Sequence, residues 1–157
     1  MTSYELFETV LDMQEKVSKL EQEVERAYAS VGPHGQKFGA LHGTHGHDPM
    51  ASIDRLIDSD ATRELELAKG RLLTLMDFAT DVLYGKSGRG GVAKMIGTDE
   101  ADMLCRHYCE GMSWAKVGRL FDPDSNNTTN MTVWCQRYAR SVFERIDEVG
   151  MRTLANT

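Results

Sequence analysis

The chain has 157 residues, 41% of them apolar and 27% charged, and a net charge of −6. That is enough apolar content for one packed core and too much for a disordered chain. Three prolines and 8% aromatics favour helices over a turn-rich β fold, and no run nears the roughly 18 apolar residues a membrane span needs.

The acidic, amphipathic start (residues 1–16) lacks the basic segment and apolar block of a signal peptide, which points to the cytoplasm. From Leu6 the positions Leu6, Val10, Met13, Val17, Leu20, Val24, Ala27 and Val31 advance by alternating steps of four and three. This is a coiled-coil-like seam, and it predicts a helix of about 28 residues. Such a helix cannot bury its seam alone. Leu65, Ala68, Leu72, Leu75, Ala79 and Val82 repeat the spacing, with Leu73, Met76 and Leu83 widening the stripe. Asp58, Ser59 or Asp60 suits the cap of this second helix, and Met50 to Ile57 is either a separate turn or its early part. Residues 1–85 therefore read as a long antiparallel helical hairpin, able to pair with a second copy of the chain.

The connector 32–49 holds five glycines, two prolines and four of the five histidines. His42, His45 and His47, with Asp48, have a spacing that could hold a metal, but no cysteine accompanies them. A polar loop is the simpler reading, so neither metal nor cofactor is expected. Next, Gly85-Lys86-Ser87-Gly88-Arg89-Gly90-Gly91 invites comparison with a phosphate-binding loop. That loop needs a preceding strand and a glycine at position 80, which is Thr80. The stretch 86–97 reads instead as a basic, flexible linker, since Lys86, Arg89 and Lys94 meet no acid between 86 and 98.

The last third, 98–150, divides into three helices ahead of a tail at 151–157. Thr98 caps a helix that runs to about Glu110, burying Met103 or Leu104 and Tyr108, and Gly111 closes it in a left-handed conformation. Ser113 caps a short helix from Trp114 to Phe121, burying Trp114, Val117, Leu120 and Phe121. The turn cluster from Asp122 to Asn127 comes after it. A third helix begins near Thr128 and runs to about Val149. Its inner stripe is Met131, Cys135, Tyr138 or Ala139, Val142, Ile146 and Val149. A short helix, a turn and a polar helix with basic residues form a helix-turn-helix plan. In such a plan the N-terminal end of the last helix offers hydrogen-bonding side chains to base edges in the major groove. Thr129, Asn130, Thr132, Val133, Gln136 and Arg137 suit that task. Arg140, Lys116, Arg119 and Arg145 suit phosphate contacts, which fix position without reading sequence. Residues 1–85 carry 8 Lys/Arg against 15 Asp/Glu, whereas 86–157 carry 10 against 9, so the chain's acidity resides in the hairpin.

The segments CRHYCEGMSWAKVGRLF and NMTVWCQRYARSVFERID resemble the promoter-recognition region at the C-terminal end of bacterial sigma factors. The resemblance rests on Tyr108-Cys109-Glu110-Gly111, Met112-Ser113-Trp114, Val117-Gly118 with Phe121, and Thr132-Val133. It spans roughly residues 98–148. The layout, with a long acidic helix ahead of it, is similar to that of small phage-encoded late transcription regulators of the RinA and ArpU kinds. The resemblance implies a DNA-binding transcription regulator, with double-stranded DNA and RNA polymerase as partners. The turn before Thr132-Val133 is about five residues longer than in that family, and nothing resembles the sigma segment that grips polymerase and melts DNA.

No enzymatic constellation is evident. Cys105 and Cys109, four apart on one helix face, make a zinc site with His107 and Cys135 conceivable, but free buried thiols are the simpler reading. The expected protein is all-α and non-enzymatic, a homo-oligomer, most simply a dimer. Two other functions fit the same pattern: a small terminase-type DNA-packaging subunit, and a helical protein-interaction module that binds no DNA.

Overall fold

The structure, a computed structural model, describes residues 1–31, 55, 59–124 and 127–157. The histidines His42, His45 and His47, the candidate cap Asp58 and, apart from Arg55, the segment 50–57 lie outside the described residues. Among those described, every regular element is helical: α1 (Ser3–Val31), α2 (Asp60–Tyr84), α3 (Gly91–Met95), α4 (Thr98–Leu104), a π-helical turn (Cys105–Cys109), α5 (Trp114–Phe121), α6 (Thr128–Val149) and α7 (Met151–Ala155). None of these helices is long and apolar enough to cross a membrane.

The chain forms two units, residues 15–71 and residues 1–14 with 72–157. In the first, the seam residues Val17, Leu20, Val24, Leu65 and Ala68 are buried. Two ion pairs link α1 and α2 across that unit, Lys16 with Glu64 at 2.9 Å and Lys69 with Glu21 at 2.7 Å. Their side chains are about half exposed, so each contributes at most about 1 kcal/mol. Burial of the apolar faces carries this pairing.

The second unit is built on a core that draws on nearly every element. Leu6, Phe7 and Val10 from α1 join Ala79, Val82 and Leu83 from α2, Val92 from α3, Met103 and Leu104 from α4, Tyr108, Val117 from α5, Val142, Phe143 and Ile146 from α6, and Leu154 from α7. Full burial of each large member stabilises by about 1.5–3 kcal/mol. The Phe143 ring sits 5.6 Å from that of Phe7 and 5.7 Å from that of Tyr108. Polar contacts fix the register. The Ser3 amide donates to Asp147 Oδ1 at 2.8 Å, and Gln14 Nε2 donates to the carbonyls of Tyr108 (3.2 Å) and Cys109 (2.7 Å). Gln14 thus satisfies acceptors that the end of a helix would otherwise leave open.

This core corrects the expected division at 85 and 98, because the first turns of α1 and the end of α2 are packed with the C-terminal helices. It also corrects the expectation of a flexible linker at 86–97. Gly90, Gly91 and Val92 are buried, and α3 starts within the stretch. Most amides of the glycine-rich run are taken up within the protein, among them Lys86 N–H by Ala155 O at 3.1 Å, Gly90 N–H by Tyr84 O at 2.7 Å, and Gly91 N–H by Thr157 Oγ1 at 2.6 Å. Donors spent in this way cannot cradle a phosphate. The tail is likewise a helix with Leu154 and Ala155 buried. The physical reason is shared: Gly91 has φ +62°, and a β-carbon there would press on the Val82 and Leu83 backbone, so glycine permits close docking here.

Candidate nucleic-acid interface

The chain reaches the candidate surface through a wide turn. Glu110 N–H bonds to Cys105 O at 3.0 Å, an i to i+5 bond, and Gly111 then takes the expected left-handed conformation at φ +69°. The helix expected over 98–110 is therefore a seven-residue α-helix succeeded by a π turn. His107 anchors the start of α5 to this turn. Its Nδ1 lies 2.6 Å from Met112 O, and its ring stacks on Trp114 at 3.7 Å between centroids. Ser113 Oγ accepts the Lys116 amide as the cap of α5, as its sequence position implied.

Burial holds the His107 pKa below its ordinary value; the bond to Met112 and the charge of Glu8 act in the opposite direction. A histidine depressed in the folded state contributes stability above its unfolded pKa of about 6.5, and that contribution is lost as pH falls through the folded value. Urea midpoints are therefore expected to fall between about pH 7.5 and 5.5, and the slope should flatten in His107→Gln. An equal slope in both proteins would assign the pH dependence elsewhere.

The α5–α6 crossing turns on Gly118. A β-carbon at that position would overlap the Met131 side chain and sit 3.4 Å from Cys135 Sγ. Leu120 and Phe121, expected in the core, are 53% and 36% exposed. Leu120 lies about 200° around the helix from Gly118 and so points away from the crossing. Helix α6 begins at Thr128, with Asn127 Oδ1 accepting the Asn130 amide at 3.1 Å. Its buried stripe is Cys135, Ala139, Val142, Phe143 and Ile146, with Met131, Tyr138 and Val149 half-buried.

Val133, Gln136, Arg137 and Arg140 are exposed and line one side of a groove of about 670 Å³. Tyr4 and Glu8 of α1, with Tyr108 and Trp114, line it as well, and Glu144 and Asp147 continue it along α6. Asn130 is exposed but lies on a neighbouring face, where it lines a second recess with Phe121, Met131 and Trp134. Thr132 is half-buried, and Thr129 stands in the first turn of α6. Lys116 and Arg119 are exposed on α5, as is Arg145 on α6. From 111 to 143 the sequence holds Lys116, Arg119, Arg137 and Arg140 against Asp122 and Asp124, and no acid occurs from 125 to 143.

Sequence reasoning missed Tyr4 and Glu8, because it assigned the start of α1 to a separate hairpin. The available signal was Phe7, which widens the apolar stripe beyond a simple seam at that end. It also missed Trp134, half exposed and stacked on Tyr138 at 5.1 Å. Tyr138 in turn donates to Glu100 Oε1 at 2.5 Å, which ties α6 to α4.

Among the described residues no three His, Cys, Asp or Glu side chains are grouped to hold a metal. Cys135 is buried at the α5–α6 crossing, and Cys105 and Cys109 are half-buried in the π turn. Comparison with family models, with curated proteins and with solved structures finds no match to the chain.

Proposed function

We propose that the protein is a cytoplasmic DNA-binding transcription regulator of phage type, in which α5 and α6 act as a helix-turn-helix on duplex DNA. The observation that carries this reading is the acid-free stretch of α6, which exposes Val133, Gln136, Arg137 and Arg140 together along one groove. Neutral hydrogen-bonding and arginine side chains read base edges, and Lys116 and Arg119 on the adjoining helix hold phosphates. The resemblance to sigma-type promoter recognition adds to it. Glu8, Glu144 and Asp147 limit the contact to the N-terminal half of α6, since phosphates are repelled beyond Arg140. In this reading α1 and α2 form an acidic antiparallel hairpin that dimerises the protein or docks on RNA polymerase. A dimer would set the spacing of two half-sites.

Selection of bound duplexes from a random library, at low and near-physiological salt, tests the function. An enriched motif is expected, and a palindrome would accompany a dimer. No enrichment at either salt, with the fold intact by circular dichroism, would refute DNA reading and leave a protein-interaction module. A ring of many copies in solution would favour the packaging subunit over the regulator.

A further inference from the structure

Gly70 stands near the middle of α2, which is one continuous helix from Asp60 to Tyr84. Glycine is a poorer helix former than alanine. A β-carbon at this position would meet nothing within 4 Å among the described residues outside its own stretch of helix. Packing within the folded chain therefore does not call for a glycine here. Leu67 and Leu73, three residues to either side, are 65% and 63% exposed. At about 100° per residue they flank Gly70 at about 60° around the helix. Arg63 and Asp77, seven residues to either side, fall within about 20° of Gly70 and so share its line along the helix. Both are exposed, and among the described residues neither belongs to an ion pair.

We infer that this face of α2 is a self-association surface, on which a second copy of the chain lays its own α2 antiparallel, with the two-fold axis at Gly70. Such an axis sets each residue beside the one equally far from Gly70 on the other side in the second copy. Arg63 then meets the partner's Asp77, and this couple of opposite charges occurs at both ends of the contact. Leu67 stands level with the partner's Leu73, one on each flank of the crossing, and both lose contact with water. Glu66 stands level with the partner's Thr74 rather than with an acid. Gly70 meets its own copy, where the absence of a side chain lets the two backbones approach closely. A parallel pair would instead set Arg63 beside Arg63 and Asp77 beside Asp77, which like charges oppose. The contact from Arg63 to Asp77 is about 21 Å long at 1.5 Å per residue. That is short for a standard interface of about 1,600 Å², so a weak dimer with a micromolar dissociation constant is expected. The pairing gives a surface to the self-association that the proposed function assigns to the hairpin, and it does not depend on DNA binding.

Sedimentation equilibrium of the full-length protein without DNA, from about 1 to 100 μM, tests the pairing. The wild type is expected to show a monomer–dimer equilibrium. Arg63→Asp alone and Asp77→Arg alone each set like charges opposite one another at both ends, and each should weaken the dimer at least about tenfold, most strongly at low salt. Mixed in equal amounts, the two variants should pair with about the wild-type affinity, because every facing couple in the mixed dimer is again an Asp with an Arg. Gly70→Leu should weaken the dimer by a similar factor, since its side chain holds the helices apart. A wild type that stays monomeric, an assembly larger than a dimer, reversals that leave the affinity unchanged, or reversals that mixing does not restore would each overturn the inference. Circular dichroism, with the restoration on mixing, separates lost pairing from lost fold. No duplex is present, so failure here leaves DNA reading to be judged by the selection experiment alone.

Discussion

Replacing Arg137 and Arg140 together with alanine is expected to abolish measurable motif recognition while leaving the protein folded. Both side chains are exposed, so their removal opens no cavity in the core. A bidentate arginine–guanine contact is worth about 1–3 kcal/mol. Loss of two arginine contacts of that size lowers affinity by about one and a half to four orders of magnitude, at about 1.4 kcal/mol per tenfold. Lys116→Ala with Arg119→Ala should behave differently. Phosphate contacts carry no sequence information, so affinity should fall to a similar extent for every duplex. The slope of log K against log salt should become shallower by about 0.9 for each contact removed. Fluorescence anisotropy with the selected motif and a scrambled duplex, across a salt series, separates the two outcomes. If Arg137→Ala/Arg140→Ala bound the motif as tightly as the wild type, the face formed by Gln136, Arg137 and Arg140 would not be the reading surface.

Enlarging Gly118 beyond alanine is expected to destabilise the protein through the α5–α6 crossing. Its Cα faces Met131 and Cys135 at the crossing of α5 and α6. Alanine gains about 1 kcal/mol of helix propensity over glycine, but overpacking costs about 1–3 kcal/mol. Gly118→Ala should therefore be close to neutral or destabilise by up to about 2 kcal/mol. Gly118→Val adds β-branching and more volume, and should lose about 3 kcal/mol or more. At this chain length each kcal/mol lowers Tm by about 2–4 °C. Met131→Ala in the Gly118→Ala background should recover part of the loss, because the overlapping side chain is gone. Thermal unfolding of the wild type, Gly118→Ala, Met131→Ala and the double variant checks the coupling. Strictly additive effects would mean that Met131 swings clear at no cost.

Much of this architecture is legible in the pattern of apolar residues. Leu6, Val10, Val17, Leu20 and Val24 are buried as their spacing implies, as are Leu65, Ala68, Ala79 and Val82. The caps at Ser113 and the left-handed Gly111 follow from local chemistry alone. Periodicity does not disclose the partner of a buried face. Phe7 lies beside the seam and is fully buried, because the C-terminal helices cover the first turns of α1 on a second side. Leu73 belongs to the expected stripe of α2 and is 63% exposed. The glycine-rich run 85–91 reads locally as a flexible linker. Its order comes from acceptors about seventy residues away, on Ala155 and Thr157, and no local pattern encodes such contacts. The face at Val133, Gln136, Arg137 and Arg140 was legible from helical spacing. The opposite wall, with Tyr4 and Glu8, was not, for the same reason as Phe7.

The composition of the second unit's core bears on portability. A fragment beginning at Thr98 would retain α4 to α7 yet lose Leu6, Phe7, Val10, Ala79, Val82, Leu83 and Val92, seven of the eighteen buried members of that core among the described residues. At about 1.5–3 kcal/mol for each large side chain, the deficit matches or exceeds the entire stability of an ordinary domain, about 5–15 kcal/mol. Helices α5 and α6 are therefore not a cassette that can be cut out or grafted between chains at the glycine-rich run. Under the proposed function, altered specificity would have to come from exchanging exposed side chains on α6, one surface position at a time, with residues 1–14 and 72–97 kept in place.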